Sequence, residues 1–174
     1  MKAAVKNDEK IRMQRVWDVF TDPDFIFCMK ETAVLEKERI YCRHDMGHLL
    51  ATARLAYIFS LERGYGIDRS LIYAAALLHD CGRAEEYKSG IPHDRAGAGT
   101  AYRILSRYDF SEKEIEEILA AIRGHRETGD VSMPEDRLSE VLYDADKMSR
   151  NCFLCGARDS CSWSDEKKNL TILW

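Results

Sequence analysis

Histidines and aspartates stand in this chain at spacings that suit a divalent metal. The stretch Ala74-Ala75-Ala76-Leu77-Leu78-His79-Asp80-Cys81-Gly82-Arg83 closes an apolar run with a His-Asp pair. A carboxylate at the edge of a core is costly unless a cation or several donors meet it. A metal ion supplies both the charge and a fixed geometry. A helix terminus with a satisfied hydrogen bond would show the same dipeptide. His44-Asp45 and His93-Asp94 repeat it, but only the pair at 79–80 follows an apolar run. The five histidines are His44, His48, His79, His93 and His125. His44 and His48 are four apart and share a helix face, a spacing that surface pairs also have. Tyr143-Asp144-Ala145-Asp146-Lys147 adds a carboxylate to a helix that also carries Leu138, Val141 and Leu142. Imidazoles and carboxylates without a thiolate suit Zn, Fe, Mn, Ni or Co and do not select among them. One such ion activates water at neutral pH, and two bridged by a carboxylate clamp a phosphoryl group.

The cysteines pose a separate question. Cys152, Cys155 and Cys161 give C-x2-C-x5-C immediately after the last predicted helix. Three thiolates hold Zn or an Fe–S cluster once a fourth ligand joins them. Cys42 is the preferred fourth ligand, because it lies just ahead of the His44–His48 segment while Cys152 follows Asp146 by six residues. Cys28 and Cys81 are alternatives, and free thiols on an irregular tail are the plainer reading.

The elements that must position these residues read as helices nearly throughout. Periodicity and punctuation predict helices over about Asp8 to Phe20, Pro23 to Arg39, Asp45 to Arg63 and Asp68 to Tyr87. A small-residue helix begins near His93, another runs from Ser111 to about Gly124, and the last from about Glu135 to Arg150. Asp68 is the expected N-cap of its helix, Ser111-Glu112-Lys113-Glu114 reads as a capping box, and Gly64 and Gly66 end the third helix. No strand or repeat signal stands out. The expected fold is an all-α bundle of six to eight helices over residues 1–150. An irregular Cys-containing tail, 151–174, is expected to pack on the same domain.

Composition bounds the function classes. The chain has 174 residues, 45% hydrophobic and 32% charged, about one ordinary domain able to bury a core without disulfides. Its 26 basic and 30 acidic side chains give a net charge of −4 with no basic block, which argues against a non-specific nucleic-acid or membrane-surface binder. The longest apolar stretch, around Ile72 to Leu78, is too short to span a bilayer. Met1–Arg15 has no apolar signal-peptide core. A cytoplasmic protein is therefore expected, its cysteines being thiols or metal ligands.

The order His48, His79-Asp80, Asp146 resembles the HD-domain superfamily of metal-dependent phosphohydrolases. The segments His48–Ala56, Ala76–Arg83 and Asp144–Met148 resemble its first-histidine helix, signature element and closing aspartate motif. His93, ahead of Ala96–Ala101, and Gly124-His125-Arg126-Glu127 resemble the elements of the variant that holds two metals. The likeness spans about residues 40 to 150. It implies an all-helical bundle and phosphohydrolase activity, usually on nucleotides, through a metal-activated water. It implies that His48, His79, Asp80 and Asp146 hold one divalent ion. His93 and His125 would hold a second, with Asp80 bridging. His44 has no firm counterpart and either replaces His48 or supports the ligands from outside. Asp80 would orient or deprotonate the water. Arg83, and more weakly Lys147 and Arg43, would meet a substrate phosphate, and Glu127 would assist proton transfer. The expected partner is a small phosphate ester, with no membrane and no specific nucleic acid, and a homo-oligomer is left open. Two rivals remain: a di-iron oxygenase of the same superfamily, and a non-catalytic metal- or redox-responsive regulatory module supported by the tail cysteines.

Overall fold

The computed structural model describes residues 2–125 and 137–172. Its described residues form α-helices and short 3-10 turns with no strand: α1 Lys2–Thr21, α2 Pro23–Leu35, α3 Met46–Glu62, α4 Arg69–Leu78, α5 Arg83–Ser89, α6 His93–Leu105, α7 Glu112–Gly124 and α8 Arg137–Met148. The fold is the expected all-α, HD-domain-like bundle. Among the described residues, side-chain caps start four of the eight helices, α2, α3, α4 and α7. The side chains of Asp45, Asp68 and Ser111 accept from backbone amides of His48, Ser70 and Glu114. The capping box at Ser111 is complete.

α4 is the central rod, packed by α1, α3, α7 and α8. That explains why its sequence is apolar on every side. Leu71, Ile72, Ala74, Ala75, Ala76, Leu77 and Leu78 are all buried, as a helix enclosed by neighbours requires.

The predicted single helix from Asp68 to Tyr87 is in fact two. α4 ends at Leu78 and α5 begins at Arg83. Between them the chain tightens into i→i+3 turns, with Cys81 N–H donating to Leu78 O (3.1 Å) and Arg83 N–H to Asp80 O (3.0 Å). The break is tertiary in origin. A Cβ on Gly82 would stand 2.1 Å from His93 O and 2.5 Å from Gly97 N, so α6 lies directly on this backbone. Periodicity runs unbroken through residues 79–82, and only the packing of α6 interrupts it. α2 is likewise shorter than predicted, stopping at Leu35, and Glu36 turns its carboxylate inward to accept from the amide of His44 (2.8 Å).

Asp22 links the N-terminal helices to the rest. It caps α2 at the Asp24 amide (2.7 Å) and, buried, accepts from Arg107 (3.0 Å) and the Tyr108 hydroxyl (2.9 Å). Burial pushes its carboxyl up, but these donors together hold it below its ordinary value. Its contribution is therefore present above the unfolded-state pKa and is lost as pH falls through the lowered folded value. Asp22→Ala is expected to cost about 2 kcal/mol, read as a lower urea midpoint at unchanged m-value. An unchanged midpoint would remove Asp22 from the list of stabilising caps.

Candidate metal centre

The tight turn after α4 projects His79 and Asp80 together into the interior, where α3 brings His48 and α8 brings Asp146. Their donor atoms all lie within 4.8 Å of one another. A second group, Asp80 with His93 at the start of α6 and His125 after α7, meets the same criterion. Asp80 is common to both. Oδ2 is 3.0 Å from His79 Nε2 and 3.4 Å from His48 Nε2, while Oδ1 is 3.5 Å from His93 Nε2. Asp146 Oδ1 is 3.2 Å from His48 Nε2 and 3.7 Å from His79 Nε2. All six side chains are buried.

Each of the four imidazoles is held from outside by its other nitrogen. His79 Nδ1 donates to Ala76 O (2.7 Å) and His125 Nδ1 to Ile122 O (2.5 Å). A carbonyl can only accept, so both rings must carry their proton at Nδ1. His93 Nδ1 meets the Glu86 carboxylate at 2.7 Å, also an acceptor. His48 Nδ1 meets Ser149 Oγ at 3.1 Å, and that hydroxyl donates to Asp146 O (2.9 Å), which leaves it to accept from the ring. All four Nε2 atoms therefore face the centre, the arrangement by which proteins orient metal-ligating histidines. His93 Nε2 and His125 Nε2 lie 2.9 Å apart, two lone pairs facing one another, and a cation resolves that repulsion. Among the described residues, His79 Nε2 and Asp80 Oδ2 are buried without a hydrogen bond.

The electrostatics demand positive charge at this point. Burial works against ionising Asp80 and Asp146, but the histidines around them and the neighbouring cations Arg83 and Lys147 hold both well below the carboxylate range. Burial likewise opposes charge on His79, but Asp80 and Asp146 outweigh it and push its pKa up to about 10. A metal ion and that proton compete for the same field. His93 is driven down to about 4 by burial and by Arg83, and His125 to about 3 by burial and by His79, so both are neutral donors at pH 7. Donor set, tautomers and field fit divalent metal ions.

The remaining sequence candidates fall in different places. His44 lies outside both groups. Its Nδ1 is 2.5 Å from Glu36 Oε1, and its ring centroid is 5.9 Å from that of His48. Glu36 has a pKa of about 2, because the bonds from His44 and Tyr87 overcome the upward push of burial. Arg83 Nε bonds Asp80 Oδ1 at 2.9 Å and its NH1 bonds Glu86 at 3.1 Å. Lys147 pairs with Asp146 and lies 5.0 Å from the Tyr143 ring centroid. The Arg43 guanidinium serves the backbone carbonyls of Arg39 and Lys37. Glu127 lies outside the described residues. Cys42, Cys152, Cys155 and Cys161 line one cavity of about 330 Å³ together with Asp146 and Arg83. Cys28 and Cys81 lie elsewhere, as free thiols that interact with each other.

Three supporting residues were not legible in the sequence. Arg150 NH2 lies 2.9 Å from His48 Nε2 and 3.6 Å from Asp146 Oδ1. Ser149 holds His48, and Glu86 holds His93. Their only sequence signal is position: Ser149 and Arg150 follow the Asp144–Met148 motif directly, and Glu86 stands one turn after Arg83. Glu86→Ala is expected to weaken the second metal position 10- to 100-fold while sparing the first, as titration calorimetry would read. Equal weakening of both positions would contradict the division into two groups.

The HD domain family matches residues 46–151 of the chain. The chain is 36% identical over 162 residues to a Clostridium beijerinckii protein that carries the name "Uncharacterized protein", an alignment covering 93% of this chain and all of the relative. No solved structure matches it. With the helical bundle and the His/Asp cluster in place, the class is defined: the chain belongs to the HD domain family. That family lies in a superfamily that is mostly metal-dependent phosphohydrolases, and the His/Asp cluster is compatible with the divalent-metal site of such proteins.

Proposed function

We propose that the protein hydrolyses a phosphate ester of a nucleotide or related small molecule, using two divalent ions. The observation that carries this reading is the sharing of Asp80 between two adjacent donor groups beneath a cavity rimmed by cations. His48, His79, Asp80 and Asp146 would hold one ion, and Asp80, His93 and His125 the other. When bound, such ions supply Lewis acidity and a nucleophilic water at neutral pH.

The chain's own groups do the rest. Outer hydrogen bonds from Ala76 O, Ile122 O, Glu86 and Ser149 keep the four rings aimed inward without rearrangement. Asp80, ionised at every physiological pH, is placed to take a hydrogen bond from the attacking water and so orient it. Arg83, Lys147 and Arg150 line the cavity beside Asp146 and offer donors to phosphate oxygens. Arg83 presents a planar fork suited to two of them. These cations favour an anionic substrate and hence hydrolysis over the oxygenase reading.

The reading predicts a specific pattern of activity. Chain loaded with Mn, Fe, Co, Ni or Zn should release phosphate from at least one member of a nucleotide and sugar-phosphate panel. Arg83→Ala should raise KM about tenfold or more, because a charge-assisted bond to phosphate is lost. No turnover with any loaded metal across the panel would overturn the proposal.

A further inference from the structure

The tail after α8 should not hold its shape by packing. Among the described residues beyond Met148 only Cys152 is a buried apolar residue and none joins the main core cluster, while Leu154, Leu170 and Ile172 are exposed. Yet the segment is built with regularity. Two 3-10 turns, Cys152–Leu154 and Arg158–Ser160, are each followed at once by an extended cysteine, Cys155 and Cys161. The tail is tied to the segment before α3. The Tyr41 hydroxyl donates to Ser160 O (3.1 Å), Arg150 NH1 to Arg43 O (2.9 Å), and the Asn169 amide to Lys147 O and Arg150 O (both 2.9 Å). Arg39 Nε in turn donates to Cys42 O (2.8 Å). These ties bring Cys42 to the wall that Cys152, Cys155 and Cys161 also line. A segment without core of its own, carrying converging thiols, is the usual setting for an inorganic cross-link.

We propose that Cys42, Cys152, Cys155 and Cys161 hold a four-iron iron–sulfur cluster in the cavity beside the histidine–aspartate centre. The spacing of the thiols favours a cluster over a single ion. A tetrahedral zinc with Zn–S bonds of about 2.3 Å brings its sulfurs to about 3.8 Å from one another. The cysteines are not among the donor groups whose atoms all come within 4.8 Å, although they share a cavity of about 330 Å³. A cubane holds its four thiolates at separated corners and needs such a volume. An all-thiolate centre of either kind is anionic, and Arg39, Arg150, Arg158 and Lys168 line the same cavity to offset that charge.

Asp146 and Arg83 open onto the same space, so the cluster would form one wall of the substrate entrance and pin the tail there. The other two cysteines, Cys28 and Cys81, take no part.

The test is chemical analysis of the full chain, prepared anaerobically and reconstituted with ferric iron, sulfide and a thiol reductant that supplies the electrons for the mixed-valence cluster. The expected result is about four acid-labile sulfides per chain with the broad visible absorption of thiolate-ligated iron. Both should vanish in Cys155→Ala/Cys161→Ala and persist in Cys28→Ala, while metal at the histidine centre stays bound in each. One zinc per chain at the cysteines with no retained sulfide would overturn the cluster in favour of a single-ion site. Retention of neither sulfide nor zinc would overturn any metal role for these thiols. Because sulfide on the unaltered chain decides the matter, a variant that fails to fold changes nothing.

Discussion

Asp80→Ala should empty both metal positions at once and lower phosphate release by roughly a thousandfold or more. The reason is that, among the described residues, Asp80 is the one side chain common to the two donor groups. Its Oδ2 faces His48 and His79, and its Oδ1 faces His93. Removing it leaves the second position with imidazoles alone and the first with two imidazoles and the single carboxylate of Asp146, so each loses charge that offsets a divalent ion. The loss also frees Arg83, whose Nε bonds Oδ1 at 2.9 Å, so positive charge at the site increases where it should fall. Elemental analysis after gel filtration separates this from simpler explanations. His93→Ala should lose one equivalent and Asp80→Ala two, with helicity retained in both. Asp80→Asn, which keeps the shape but not the charge, should behave like the alanine variant. If Asp80→Ala keeps both metals, the carboxylate is not shared and the two groups are independent sites.

Gly82→Ala should be the most damaging single methyl in the chain. Its added Cβ would meet backbone, at 2.1 Å from His93 O and 2.5 Å from Gly97 N, and backbone cannot swing aside as a side chain would. The cost is expected to be about 3 kcal/mol or more, at the upper end of overpacking effects. In a chain of this size that corresponds to a fall in Tm of roughly 6–12 °C. The damage should reach the site as well. α6 must retreat from the 79–82 turn and carry His93 away from Asp80, so the second metal position should weaken together with stability. Gly90→Ala is the control. Gly90 has φ +76° but open space around it, so alanine there should cost about 1 kcal/mol and leave metal binding unchanged. A Gly82→Ala variant that melts with the parent would mean that α6 does not lie on this turn.

Much of the protein was written locally. Asp45, Asp68 and Ser111 start their helices through hydrogen bonds to amides two or three residues away, and such bonds can be read from neighbouring letters. The apolar run of α4 announces a rod buried on all sides. The His79-Asp80 pair at its end, with His48, His93, His125 and Asp146, marks a metal chemistry by residue type alone.

What local sequence could not contain is relative rotation and approach. The shared helix face expected for His44 and His48 is not realised, because α3 starts after its N-cap Asp45; His44 lies ahead of the helix, captured by Glu36, and only His48 faces Asp80. The division of one apparent helix at residues 79–82 depends on α6 lying against Gly82. Arg150, Ser149 and Glu86 gain their roles only because distant segments bring ring nitrogens within hydrogen-bond reach, 102 residues away for the contact between His48 and Arg150. Residue types and local hydrogen bonds are encoded in neighbours along the chain, so the sequence determined the helices and the kind of chemistry. The aim of each lone pair is set by packing between helices, and that was decided only by the tertiary structure.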